Sequence, residues 1–334
     1  LDVQPRISAV AAAGLPGLIS ACGGDPDRIF GAASLAETVV TNPDSELGLR
    51  QYCDLFEHAA RQTRLDHFGL RFGREYRIED MGPLGMLAVN SPNAGAALNN
   101  LCRYFPAVQE HSTLRLHDDG DLLYLEYQIR DGRIGNRRQD AELTIAIFNN
   151  LLIRCFGPGW SAEEIHFEHF RGAAKGVHES LLNAPVYFGQ STNSIVFSRH
   201  GLGRPLAQAN PALIPVLEAE LRQRAGRARP DDLAGQVAAQ IRAGFLSGNA
   251  GIEAIAAGLG LSRASLYRRL AEAGVDFSAL TQAVRQEIAI MYVRMPDIAF
   301  TDIAALLGYA ELSAFSRAFK RWTGASPAAY RGAV

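Results

Sequence analysis

Apolar positions in the last third of the chain recur every three to four residues in two similar blocks, residues 252–274 and 301–324. In the first block Ile252, Ile255, Ala256 and Leu259 keep the i, i+3, i+4, i+7 spacing of one helix face. Gly260 follows as the left-handed residue that a tight helix end needs, and Ser262 stands where a second helix would be capped. On that second helix, at about 100° per residue, Leu266, Leu270 and Ala273 fall on one stripe, Ala264 and Arg268 on the opposite side and Tyr267 on the flank. In the second block the same arithmetic puts Phe315, Phe319 and Trp322 inward and Ser313, Arg317 and Lys320 outward. Each block therefore predicts a helix, a glycine turn (Leu259-Gly260, Leu307-Gly308) and a second helix with a basic outer face, with Arg268 and Arg317 at matching positions.

Between the blocks, Phe277, Leu280, Val284, Ile288, Met291 and Met295 hold a helical spacing up to Pro296. At about 1.5 Å per residue this rod would be roughly 27 Å long. Upstream the pattern changes. Leu49, Tyr52, Cys53, Phe56 and Ala60 mark a helix face; Ser91-Pro92 reads as an N-cap with proline at the first helical position, opening a helix to about Phe105. Residues 113–117 and 122–129 alternate around Asp118-Asp119-Gly120-Asp121, a hairpin signal. A helix over about 140–156 ends at Gly157-Pro158-Gly159, strands are predicted at 165–170 and 194–197, and Pro205-Leu206 leads to a helical linker from Pro211. The fold class expected is an α+β N-terminal regulatory domain followed by an all-α C-terminal domain with two helix-turn-helix motifs joined by a long helix. The domains are set at 1–208, 209–232 for the linker, and 233–334.

An exposed basic stripe on a short helix, braced by a second helix, suits the DNA major groove, where Arg can bond the O6/N7 edge of guanine and hydroxyls and Lys can hold phosphates. One such hairpin is equally well a solvated pair of helices; the duplication favours DNA. A rod of this length would set two reading helices in successive major grooves, about 34 Å apart. The expected contacts are Arg263, Ala264, Tyr267 and Arg268 from the first motif and Leu312, Ser313, Ser316, Arg317 and Lys320 from the second, with the two arginines at base edges or adjacent backbone and Lys320 on phosphate.

Residues from about 233 to 331 resemble the DNA-binding domain of the AraC/XylS family of bacterial transcription regulators. The resemblance rests on Arg285, Ala289 and Tyr292, on Ile303-Ala304 and Leu307-Gly308-Tyr309, on the run from Ser313 to Gly324, and on Ser326-Pro327 and Tyr330-Arg331. The first reading helix departs from the family: where Ser-Pro-Arg-Thr is usual, this chain has Ser262-Arg263-Ala264-Ser265. The front region resembles the arabinose-binding-type domain on one branch of that family. Its carriers are His67-Phe68-Gly69-Leu70-Arg71, Gly82-Pro83-Leu84-Gly85, Ala97-Leu98 with Arg103-Tyr104-Phe105-Pro106, Gly157-Pro158-Gly159-Trp160, and Val186-Tyr187-Phe188-Gly189. The resemblance implies a regulator, usually an activator that recruits RNA polymerase, answering to a small-molecule effector such as an amino acid, a fatty acid or another catabolic metabolite. The domain's name is no evidence for arabinose.

Composition is that of an ordinary globular chain, 48% hydrophobic and 20% charged over 334 residues, with a net charge of −2. The charge is uneven. Residues 1–221 hold 19 basic and 26 acidic side chains, 222–229 hold Arg222, Arg224, Arg227 and Arg229, and 230–334 hold 10 basic and 9 acidic. An acidic front repels DNA, so contact is expected at the reading face; the arginine group reads as a solvated helix end and linker. Residues 7–22, ending Ile19-Ser20-Ala21-Cys22, look like a lipoprotein signal, but Asp2, Gly14 and Pro16 and a DNA-reading C-terminus favour a buried Ala-rich helix and a cytoplasmic protein with no membrane partner.

Catalytic chemistry finds little support. Cys22, Cys53, Cys102 and Cys155 are scattered, with no C-x-x-C and no His at ligand spacing. His166-Phe167-Glu168-His169 invites a metal, yet an alternating strand sends the two imidazoles to opposite faces. No metal, no cofactor and no enzymatic activity are expected. Two alternatives stay open beside the effector-responsive regulator: an alkylation-repair-type enzyme tethered to the same DNA reader, and a regulator answering to a protein partner. A homodimer is a further open partner.

Overall fold

The computed structural model describes residues 4–172, 176–207, 209–227, 233–247, 251–273, 275–293 and 298–332. Gln208, Arg229, Asp232, Gly274, Met295, Pro296 and Val334, which mark predicted boundaries and helix ends, lie outside the described residues, as do the side chains of Arg227 and Met291. The chain divides into two units, Leu1–Ile129 with Asn136–Pro230, and Arg130–Gly135 with Asp231–Val334.

The first unit is α+β. In chain order it contains β1 (Arg6–Ser8), α1 (Leu15–Ala21), α2 (Pro26–Ala32), β2 (Glu46–Gly48), α3 (Leu49–Thr63), α4 (Phe68–Glu75), α5 (Pro83–Val89), α6 (Ala94–Tyr104), β3 (Ser112–Asp119), β4 (Leu122–Ile129), α7 (Arg138–Phe156), β5 (Glu164–Phe167), α8 (Val177–Leu182), β6 (Val186–Phe188), β7 (Asn193–Ser198) and α9 (Ile214–Arg227). Strands β1 and β2 form a small antiparallel pair; the main sheet runs β3-β4-β7-β5-β6, antiparallel except for β5 with β6. The hairpin turns where expected, with Asp119 opposite Leu122 and Gly120 at φ +70°. Along β4 burial alternates, so Leu123, Leu125, Tyr127 and Ile129 face inward. The segment that resembles a lipoprotein signal is part of this packing: Ala9, Leu15 and Ile19 are fully buried. The cap of α6 is not Ser91 but Asn93, whose side chain accepts from the Ala96 N–H at 2.9 Å. Ser91 sits instead in the last turn's wake of α5, buried, donating to the Leu87 carbonyl.

Helix α7 is buried on nearly all sides, which forces its polar side chains to find partners. Its crossing with α4 is close because Gly69 and Gly73, one turn apart, present no side chain: a Cβ at either would stand under 3.0 Å from the backbone of Gln139 or Leu143. The Gly69 N–H donates to Gln139 Oε1 at 2.6 Å. Tyr127 donates to Asp140 Oδ2 at 2.5 Å, and burial pushes the Asp140 carboxyl up to about 7 against the opposing pull of Tyr127 and Arg137. Two residues on, the fully buried Glu142 lies 3.0 Å from Arg138 Nε, 3.0 Å from His178 Nε2 and 3.4 Å from His169 Nε2. The hydrogen bond with His178 and the Arg138 guanidinium hold the Glu142 carboxyl below its ordinary range despite its burial, and burial presses His169 down to about 4. His166 is elsewhere, against Glu164, Tyr124 and Tyr187. Helix α9 packs on α5 and α6, its Leu221 fully buried, while Arg222 and Arg224 pair with Glu218 and Glu220 one turn back.

The second unit is helical: α10 (Leu233–Ser247), α11 (Ile252–Gly258), α12 (Arg263–Glu272), α13 (Phe277–Val293), α14 (Phe300–Leu306), α15 (Leu312–Thr323) and α16 (Pro327–Gly332). Its core joins Val237 and Ile241 to Ile255, Leu266, Leu270, Val284, Ile288, Ile303, Phe315 and Phe319. The segment 130–135 belongs here by packing. Arg242 Nη2 donates to the Gly132 carbonyl at 2.7 Å, and any Cβ at Gly132 would stand under 3.0 Å from Ala238.

Candidate nucleic-acid interface

The two hairpins of the second unit are built by the same local rules. The turn after α11 passes through Gly260 and the turn after α14 through Gly308, with φ of +65° and +77°, values that glycine alone adopts without steric cost. Ser262 caps α12, accepting from the Ser265 N–H at 3.1 Å. At the start of α15 Glu311 takes the cap position without a side-chain bond to the backbone; its carboxylate instead accepts from the Ser313 hydroxyl at 3.0 Å. Leu266 and Leu270 anchor α12, and Phe315, Ala318 and Phe319 anchor α15, each set on the face opposite the charged residues. Helix α13 separates the hairpins; its 17 residues span about 25 Å.

The outward faces follow from that anchoring. Arg263, Ala264, Tyr267 and Arg268 of α12 are exposed, as are Leu312, Ser313, Arg317 and Lys320 of α15, while Ser316 is half-buried. Two inward positions differ from the periodicity. Ala273 is exposed because α12 stops at Glu272, and Trp322, in the last turn of α15, packs against the edge of the core and is only half-buried. Arg269 and Arg321 are exposed beside the expected contacts; each adjoins a residue singled out by the sequence, and basic charge alone could have drawn attention to them.

Electrostatically the two faces are unequal. Arg263 Nη1 donates to Glu253 Oε1 at 2.8 Å and its guanidinium lies 5.7 Å from the Tyr267 ring centre; Arg268 stands 3.9 Å from Glu272. All four charged groups are more than half exposed, so each pair is worth little in water and an approaching phosphate competes readily. On α15, Arg317, Lys320 and Arg321 have no ion-pair partner among the described residues. Behind that face the scaffold is locked. Arg331 donates from Nε to the Val293 carbonyl at 2.7 Å and from Nη2 to the Ile298 carbonyl at 2.8 Å, and stacks on Phe300. Arg285 of α13 stacks on both Phe245 and Tyr309.

Residues 255–333 match the family described as a helix-turn-helix domain, and residues 23–206 match the arabinose-binding domain of AraC transcription regulator, N-terminal. The chain belongs to the AraC family. Like others of that family it is a DNA-binding transcription regulator. It is 26% identical to the HTH-type transcriptional regulator VirS of Mycobacterium tuberculosis over 99% of this chain and 98% of that one. It is 24% identical to the ornithine utilization regulator of Pseudomonas aeruginosa, over 95% of this chain and 93% of that one. Among solved structures, the transcriptional regulator CdpR of Pseudomonas aeruginosa aligns over 92% of this chain and 96% of its own at 19% identity, with a TM-score of 0.45. Among the described residues no helix is long and apolar enough to cross a membrane.

Proposed function

We propose that this AraC-family chain is a cytoplasmic, effector-responsive activator whose helices α12 and α15 read two successive major grooves. The observation that carries the reading is the repeated helix face, basic outward and apolar inward, with Arg268 and Arg317 equivalent in the two copies. Arg263, Ala264, Tyr267 and Arg268 are assigned to one half-site and Leu312, Ser313, Ser316, Arg317 and Lys320 to the other. The unpaired cations of α15 need no rearrangement to meet phosphate, so this helix supplies the larger share of affinity; α12 must first release Glu253 and Glu272. The effector binds within residues 1–208, residues 209–232 serve as linker to the reader at 233–334, and the bound regulator recruits RNA polymerase, alone or as a homodimer.

Three of the four thiols speak for a regulator over an alkyl-transfer enzyme. Burial pushes Cys102 and Cys155 up to about 11 and Cys53 well above its ordinary value, whereas a transfer enzyme needs a reactive thiolate. A reporter driven by the bound promoter tests the reading: R317A is expected to abolish activation while leaving the chain folded, and activation that survives R317A, R268A and K320A together would refute it.

A further inference from the structure

The first unit contains a cavity of about 470 Å³, inside the usual range for small-molecule sites of about 300–1,000 Å³. It is walled by Val89 at the end of α5, by Leu151, Arg154 and Phe156 in the last turns of α7, and by Arg204 and Leu206 in the segment after β7. That segment is held in place by backbone: Leu206 N–H donates to the Pro92 carbonyl, and Pro205 bridges to Asn93. The lining therefore joins a set of apolar side chains to two guanidiniums, and no carboxylate is among the residues that line it.

The two arginines differ in state. Arg154 is engaged by Glu79, which it reaches from the far end of α7. Arg204 is exposed and touches no acid among the described residues, although residues 1–221 hold 26 acidic side chains against 19 basic ones. A larger cavity of about 650 Å³ makes the contrast clear, because there Arg6 is paired with Glu46 and Arg224 with Glu220, leaving no cation free for a ligand.

Resting on the reading that the front unit takes a small effector, we infer that this cavity is the effector site and that it selects an organic anion with an apolar body, such as a carboxylate bearing an alkyl or aryl group. The carboxylate meets Arg204, with Arg154 close by in the same lining, and the body lies on Val89, Leu151, Phe156 and Leu206. A bidentate guanidinium–carboxylate contact is both the stronger and the more directional choice over a neutral hydroxyl. A cationic body would be repelled by Arg204.

The test is calorimetric titration of the full chain with octanoate and phenylacetate, beside 1-octanol and octylamine as neutral and cationic matches. The anions are expected to bind and the matches not. R204Q, at an exposed position, should raise the anion Kd about tenfold or more, the worth of a charge-assisted bond, while R224Q in the other cavity leaves it unchanged. Anion binding that ignores R204Q overturns the site. Binding of 1-octanol or octylamine in preference to the anions overturns the ligand class while leaving an effector-binding front unit in place. Failure of the anions and both matches, and then of a broad metabolite screen, sinks the inference and the effector reading together.

Discussion

Replacing His169 by Gln should unmask a pH dependence of stability in the front unit that the wild type nearly cancels. In the fold burial presses His169 down to about 4, from an ordinary value of 6.5. Between those pH values the unfolded chain binds a proton that the native chain does not, so His169 contributes stability that is complete above pH 6.5 and lost as pH falls towards 4. Asp140 acts in the opposite sense. Its carboxyl is raised to about 7 from 3.8, so the native state binds the extra proton and stability is lost as pH rises across that window. At 1.36 kcal/mol per unit, the two slopes each amount to about 3 kcal/mol between pH 4 and 6.5 and nearly cancel. H169Q leaves Asp140 alone and should gain about 3 kcal/mol on acidification over that window relative to wild type. D140N should lose a similar amount, and the double variant should return to the wild-type slope. The assay is urea denaturation followed by fluorescence in a W322F background, where Trp160, stacked on Phe156 in the first unit, becomes the only tryptophan. A single-unit probe is needed because a two-unit chain need not unfold in one step. Parallel profiles for wild type, H169Q and D140N would refute the assignment of opposed buried titrations.

Other consequences are as direct. G73A puts a Cβ under 3.0 Å from the Leu143 backbone and should destabilise the first unit by about 1–3 kcal/mol or more, seen as a lower urea midpoint; an unchanged midpoint would mean the α4–α7 crossing is looser than described. N93A should cost about 1 kcal/mol through loss of the α6 cap, and N93S should restore most of it. Equal stability of N93A and wild type would return the capping role to another residue. E253Q releases Arg263 and should tighten DNA binding at low salt and steepen its salt dependence by up to about one unit of slope. Weaker binding by E253Q would show that the Glu253–Arg263 pair orders the reading face instead of competing with DNA.

Much of this was legible in the sequence where the signal is local. The inward sets Leu266, Leu270 and Phe315, Phe319 follow from a 3.6-residue period, and Gly260 and Gly308 from the turn each must make. Periodicity fails at helix ends, which is why Ala273 and Trp322 read as more buried than they are. Ser91-Pro92 mimics a cap perfectly well in composition, but Asn93 two residues on competes for the role and wins, leaving the Ser91 hydroxyl to bond back to Leu87. Contacts between residues far apart in the chain leave no such trace. Nothing in the spacing of Glu142, His169 and His178 shows that they meet on α7, nor that residues 130–135 pack with α10, since both depend on the path of the sheet. The pairing of Arg263 with Glu253 crosses from one helix of the motif to the other and was equally hidden.

The central claim, that α12 and α15 read DNA sequence, is tested most directly by the affinity of the full chain for a duplex selected from a random pool and for a scrambled duplex of equal length. Measured at two salt concentrations, wild type should prefer the selected duplex, and R317A should lose about 1–3 kcal/mol on it and much less on the scrambled one. Equal affinity of wild type for both duplexes, or an R317A variant as tight and as selective as wild type, would contradict the account.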